Sequence, residues 1–312
     1  MAEHKQSSSP LRDVVRPTTW IEASRLSKKL GTRLIIASET FQHTGSFKFR
    51  AAYNVAANIP HQEIITASSG NFGQATALAC HLLGKSCTVV MPDTSASVKI
   101  AAVIESGGVV DLIDVNAKSR RARVAELSRE RPEAYVASAY DDSLVIDGNA
   151  SLGEELAGFE GQIDVVVAPV GGGGLSSGII KGISECGKKI PVVGAEPLLG
   201  NDAARSLRAG RIVANKTEPE TLADGARSLS LGGRNWEILR EGLSGIVEVP
   251  EERIKEAVRL LFLLANLKVE PTGALALAAV LTDTERFRDL SVCCIASGGN
   301  VDPEVYRELL AE

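Results

Sequence analysis

The chain has 312 residues, 44% of them hydrophobic, with a formal net charge of -5 and a pI near 5.6. That size and apolar content suffice for a real core in one large or two modest domains. The acidic balance argues against a nucleic-acid partner, which calls for a dominant basic surface, and the apolar runs LLFLLA near 260 and ALALAAVL near 274 are too short to span a bilayer.

The opening stretch MAEHKQSSSPLRDVVRP carries neither an apolar core nor a small-residue cleavage pattern, so no secretory signal is expected and the cytoplasm is the expected location. Beyond it, short β-rich runs alternate with helical patterns. Strands are predicted at TRLIIASE (from 32), EIITASS (63), SCTVVMPD (86), VVDLIDV (109), AYVASAY (134), IDVVVAPV (163), PVVGAEP (191), GIVEVP (245) and SVCCIASG (291). Helical segments such as GQATALACHLL, SASVKIAAVIES, RARVAELSRER and LSSGIIKGISE lie between them. This alternation predicts an α/β fold of βα units, with parallel sheets and helices on both faces. The basic cluster KSRRAR at 118–123 is followed by Glu126, Glu130 and Glu133, which reads as a solvated, salt-bridged helix face. Five cysteines, Cys80, Cys87, Cys186, Cys293 and Cys294, fall in apolar stretches without a Cys-x-x-Cys pair and are expected to be reduced core residues. Four histidines and no HExxH give neither a zinc site nor a Ser-His-Asp triad.

The decapeptide FQHTGSFKFR, residues 41–50, sets Lys48 behind a small polar turn. Thr44 and Ser46 are expected as helix caps, which places Lys48 in the first turn of a helix. There the unpaired backbone N–H groups, and desolvation by Phe47 and Phe49, would push the amine toward its neutral, nucleophilic form. The alternative is a surface lysine whose stem lies over the two rings.

Ligands of open α/β sheets gather where strand C-termini feed into loops, and four such corners are chemically loaded. GGGGL at 171–175 stands between a strand and a helix; four consecutive glycines cost a few kcal/mol of backbone entropy (about 0.5 to 1 each), so they mark either a phosphate cradle or a tight packing turn. TASSGNFGQATALA at 66–79 offers the amides of Ser68, Ser69, Gly70 and Asn71 to a small anion such as a carboxylate, or simply starts a capped helix. SGGN at 297–300 presents Ser297 at a strand end, or is only a turn. AEPLLGND at 195–202 sets Glu196 and Asp202 around a carbonyl-rich loop, suited to a hard cation or to a helix N-cap by Asn201 or Asp202.

Taken in order, HTGSFKFRAA, SSGNFGQA, VGGGGLSSG, AEPLLGND, LADG, VEPTGA and SGGNVD resemble the fold type II pyridoxal-phosphate enzymes, in particular the serine/threonine dehydratases and serine racemase. The match runs from about residue 16 to 305. It implies two open parallel-sheet domains of the tryptophan synthase β type: residues 1–57 and 142–312 as a large cofactor-binding domain, and 58–141 as a small mobile one. It implies that Lys48 forms the internal aldimine with pyridoxal 5'-phosphate, with Phe47 also in the cofactor site. Gly171, Gly172, Gly173 and Gly174 would bind the phosphate, Asn71 the ring hydroxyl and Ser297 the pyridine nitrogen. A hydroxyl there, unlike a carboxylate, does not keep that nitrogen protonated, which favours loss of a β-substituent over transamination. By the same resemblance Ser68, Ser69, Gly70, Asn71 and Phe72 meet the substrate, and Glu196, the Gly200 carbonyl and Asp202 match a site for Mg2+ or Ca2+. A homodimer is implied as well.

The activity implied is β-elimination of a β-hydroxy amino acid such as L-threonine or L-serine to a 2-oxo acid and ammonia. Ser69 keeps racemisation open, because serine racemases resemble this loop with a serine that reprotonates the other face of the α-carbon. Two features depart from the family pattern. Phe72 stands where histidine is common, and SAYDDSLVIDGNAS at 138–151 replaces the usual HP-x-D-x-P-x-VIAGQGT. Both lie near where the substrate should sit, and removing an imidazole and adding an aromatic ring would make the pocket less polar, suited to a bulkier or less acidic β-hydroxy amino acid. A β-replacement synthase would call for PxxSxKDR and GTGGT, which are absent here. A non-catalytic nucleotide-binding module is the remaining alternative, with Glu196 placed as a ribose-binding acid.

Overall fold

The computed structural model describes residues 11–68, 70–95 and 97–311, and in them the alternation of strand and helix resolves into two sheets. The strands are β1 (Thr19–Glu22), β2 (Arg33–Ser38), β3 (Glu63–Ala67), β4 (Ser86–Pro92), β5 (Val109–Ile113), β6 (Tyr135–Ala137), β7 (Val165–Pro169), β8 (Val192–Pro197), β9 (Leu243–Val249) and β10 (Ser291–Ala296). One sheet has the order β1-β2-β10-β7-β8-β9, the other β5-β4-β3-β6. All nine predicted strands are present, and all pairings are parallel except that of β1 with β2. β1 escaped the sequence reading because TWIE is four residues long and only partly buried, and so carries no alternation.

Burial explains the patterns of the central strands. β7 and β10 are buried at every position, as continuous apolar runs covered on both faces should be. The helix Pro271–Thr282 is apolar nearly all round and packs against Val165, Val193 and Val247 in the core beneath the larger sheet. The run LLFLLA belongs to the helix Glu251–Ala265. No helix among the described residues is long and apolar enough to cross a membrane. Cys80, Cys87, Cys293 and Cys294 are buried and free as expected, but Cys186 is exposed, because it follows the end of the Gly174–Glu185 helix instead of facing the core.

The helix Lys48–Asn58 joins the two sheets. Its Phe49, Ala52 and Val55 share a core with Ile64, Val89 and Met91 of the smaller sheet. Its start is bound to the larger sheet, where the Phe47 N–H donates to the Ser297 carbonyl at 3.0 Å and Ser46 pairs with Gly298 as an isolated bridge. Arg50, two residues beyond Lys48, is wholly buried. Its guanidinium donates to Glu39 at 2.7 and 2.9 Å, to Glu155 at 2.7 Å and to Ser151 at 3.1 Å. This network fixes the helix start against the end of β2 and against the helix Ser143–Ala157, so the lysine projects from a clamped backbone.

Candidate active site

The expected caps do not form. The helix begins after Phe47 with no side-chain cap, and the Thr44 and Ser46 hydroxyls are buried without partners. The turn is shaped by backbone instead. Thr44 and Gly45 adopt positive φ of 59° and 71°, and a side chain on Gly45 would begin 2.5 Å from Asn300. Lys48 is half-buried, and its amine donates to the Ala139 carbonyl at 2.9 Å. It lies 5.0 Å from the centre of the Phe47 ring and 5.6 Å from that of Phe72. Phe49 is not one of its neighbours but turns into the core against His43 and Tyr53. Burial is the main force that lowers the lysine from 10.5 to about 8, with Glu270 pulling the other way; the helix end expected from sequence is not needed.

The Ser297 and Asn71 corners meet at this lysine. Ser297 follows β10 and is 2% exposed. The Asn71 amide donates to Glu270 at 2.8 Å and accepts from Asn300, also at 2.8 Å, while Asn300 donates to the Thr44 carbonyl at 2.6 Å. Glu270 was not recognised from the sequence. It precedes Pro271 at a helix start, where an acid is ordinary, yet it is buried and pushed up to about 8 by desolvation, with Asp224 next among the causes. Close packing holds it in place: side chains on Gly298 and Gly273 would begin 2.6 Å from Glu270 and 2.4 Å from the Gly298 carbonyl, respectively.

The glycine loop lies beyond Ala139 and Tyr140. Gly173 takes a φ of +96°, and the Gly174–Glu185 helix starts with no side-chain cap, leaving its first N–H groups for a ligand. A side chain on Gly172 would begin 2.3 Å from the Tyr140 ring. Asn235 ties the two together, donating to the Tyr140 carbonyl at 2.9 Å and to the Gly172 carbonyl at 2.8 Å. Tyr140 lies in the departing stretch 138–151 without standing out there, and Asn235 lies in no motif with a distinctive spacing. Ser68, Gly70 and Asn71 occupy the expected loop after β3, with Phe72 2% exposed in the core; Ser69 lies outside the described residues. Lys99, on the helix Ser97–Glu105, pairs with Asp224 at 2.6 Å, and Arg120 pairs with Glu218 at 3.2 Å.

Glu196 and Asp202 flank the next corner, outside this cluster. The Glu196 carboxylate accepts from the Ala203 and Ala204 N–H groups at 2.8 and 2.9 Å, so Glu196 caps this helix start in place of Asn201 or Asp202. Burial raises Glu196 to about 8 and Asp202 to about 6. Asp202 Oδ1 accepts from Asn215, whereas Oδ2 is buried without a partner. Among the described residues no three His, Cys, Asp or Glu side chains form a metal cluster, so a cation here would need main-chain oxygen such as that of Gly200.

A half-buried lysine of lowered basicity, a glycine loop at an uncapped helix and a strand-end serine follow β2, β7 and β10 of the larger sheet, respectively. Residues 11–298 match the family described as pyridoxal-phosphate dependent enzyme, and the chain belongs to that family. An L-threo-3-hydroxyaspartate ammonia-lyase of Pseudomonas sp is 35% identical over 289 residues, 91% of this chain and 90% of the relative. A serine racemase of Schizosaccharomyces pombe is 32% identical over 310 residues, 98% of this chain and 95% of the relative. Among solved structures, a T.th. threonine deaminase is 39% identical with a TM-score of 0.87, covering 94% of this chain and 95% of that one. Family membership sets aside the reading as a non-catalytic nucleotide-binding module.

Proposed function

We propose that this enzyme eliminates water from a β-hydroxy amino acid such as L-threonine or L-serine, releasing a 2-oxo acid and ammonia. The observation that carries the proposal is the Lys48 amine, set 5.0 and 5.6 Å from the centres of the Phe47 and Phe72 rings with its pKa lowered to about 8. Such an amine serves both as a nucleophile and as a general base near neutral pH. The ammonia-lyases and threonine deaminase among its relatives support the same chemistry.

Pyridoxal 5'-phosphate, when bound, supplies an electron sink that acidifies the substrate α-carbon. Lys48 would hold it covalently, and Gly171, Gly172, Gly173 and Gly174 would hold its phosphate on free N–H groups. The uncapped helix start fits that anion, while the close approach of Ala226, Tyr140, Leu239 and Asn235 is what requires glycine along the loop. Asn71 has one amide hydrogen left after bonding Glu270, directed by its bond from Asn300, and this hydrogen would reach the ring hydroxyl. Ser297 would face the ring nitrogen, and Phe47 would line the site. Ser68, Ser69, Gly70 and Asn71 would hold the substrate carboxylate, with Phe72 beside the side chain. The freed Lys48 amine then takes the α-proton, and the leaving hydroxyl is protonated beside the glycine loop. Residues 58–141 would move against 1–57 and 142–312 as substrate enters.

Glu196, Gly200 and Asp202 would hold Mg2+ or Ca2+, since the unpartnered Asp202 oxygen is a hard donor awaiting a cation. A chelator should then lower the melting temperature, and added Ca2+ or Mg2+ should restore it; Asp202→Asn should abolish the response. The reading extends to a cytoplasmic homodimer. Racemisation is the second reading, favoured by similarity to the serine racemase of Schizosaccharomyces pombe. The test is to incubate the cofactor-loaded protein with L- and D-β-hydroxy amino acids, following 2-oxo acid and enantiomer ratio together. Release of 2-oxo acid supports elimination; inversion without release would replace it with racemisation. An inversion rate unchanged in Ser69→Ala would reject that residue's role.

A further inference from the structure

Lys99 is the least expected charge at the cleft. It rises from the first turn of the Ser97–Glu105 helix, which accompanies the smaller sheet, and its amine meets Asp224 Oδ2 at 2.6 Å. Asp224 opens a short 3-10 turn anchored to the helix of the larger sheet, where the Gly225 N–H donates to the Thr272 hydroxyl at 2.9 Å. The same turn abuts the glycine loop, since a side chain on Gly171 would begin 3.1 Å from the Gly225 carbonyl. The Lys99 amine also lies 3.9 Å from the point where a Gly70 side chain would begin. It therefore stands beside Gly70, between that residue and Asp224. Its side chain is 26% exposed and that of Asp224 40%, so solvent reaches both partners and the pair can exchange.

We infer that Lys99 reads the substrate's α-carboxylate, giving up Asp224 for it when substrate enters the loop after β3. The inference rests on the assignment of that loop as the carboxylate site. Exchanging one carboxylate for another keeps the ammonium paired throughout, so entry does not leave a desolvated charge behind. Asp224 then acts as a competitor placed in the protein itself. Removing the cation and removing the competitor must therefore move affinity in opposite directions.

The test uses the cofactor-loaded full chain and two probes without a β-hydroxyl, L-alanine and L-alaninamide. Binding is followed by the change in the visible band of the bound cofactor. Lys99→Met should weaken L-alanine by at least about tenfold, the scale of a hydrogen bond to a charged group, and leave L-alaninamide within about twofold of wild type. Asp224→Asn should tighten L-alanine by about threefold or more, and the double variant should match Lys99→Met. If the pair is only a strap between the sheets, both single variants weaken both probes alike, and the inference is overturned. It is overturned equally if Lys99→Met leaves L-alanine unchanged. Retention of the visible band in each variant shows that the fold and cofactor site are intact; should Lys99→Met lose it, Lys99→Gln replaces it under the same criteria. Because neither probe can lose water, failure of the elimination assay with β-hydroxy amino acids leaves this measurement standing, and the two failures are distinguishable.

Discussion

Replacing Glu270 with glutamine tests the electrostatics of the site without touching its shape. The carboxyl is buried, accepts from Asn71 at 2.8 Å, and is raised from 4.5 to about 8 by desolvation. Below pH 4.5 the folded and unfolded chains both keep the proton, and burial carries no ionic penalty. Between 4.5 and about 8 the unfolded chain has released it and the folded chain has not, so stability falls as pH rises, by about 1.4 kcal/mol per unit. Above pH 8 the folded protein carries the full penalty, about 3 to 5 kcal/mol. An amide never ionises, and its oxygen still accepts from Asn71. Glu270→Gln should therefore match wild type near pH 4.5 and exceed it by about 3 to 5 kcal/mol at pH 9. Lys48, lowered from 10.5 to about 8, has the opposite dependence, destabilising the fold below pH 8 and recovering toward 10.5; because Glu270 pulls the lysine upward, its loss lowers Lys48 further in the variant and trims the gain where Glu270 is ionised. Urea unfolding of the cofactor-free protein at pH 5, 7 and 9 measures that difference. A variant no more stable than wild type at pH 9, or a gap that does not narrow as pH falls, would refute the assignment of Glu270 as a neutral buried acid.

Lys48→Ala should abolish 2-oxo acid release, and borohydride should no longer fix the cofactor to the protein, as mass spectrometry of the reduced sample would show. Arg50→Met leaves Glu39 buried without its partner and should cost about 3 to 5 kcal/mol in urea unfolding; a loss under about 1 kcal/mol would mean that the network is not what clamps the helix start. Gly172→Ala drives a methyl into the Tyr140 ring at 2.3 Å. Cofactor affinity should fall by at least about tenfold in an absorbance titration, since either the ring or the phosphate loop must move.

Much of this site was legible because its parts are loops behind strands, and the sequence marks them in order. HTGSFK, SSGN, GGGGL and SGGN follow β2, β3, β7 and β10, and parallel strands place all four loops at carboxyl ends. What each loop does was less legible. Thr44 and Ser46 look like caps in a ten-residue window, yet the helix start is set by the Ser297 carbonyl, more than 200 residues away in the chain. Phe49 and Phe72 exchange roles for a related reason: helical rotation turns one into the core, and packing of a second helix brings the other to the amine.

By itself the sequence determined the alternation of elements, the glycine positions that only a bare backbone tolerates, and the lysine behind its turn, because these are local properties of adjacent residues. Only the tertiary structure brought Glu270 within electrostatic reach of that lysine, Asn300 to Thr44 and Asn71, and Lys99 to Asp224. Each of these contacts joins distant segments, and desolvation, which sets the pKa of both Lys48 and Glu270, exists only once those segments have closed over them.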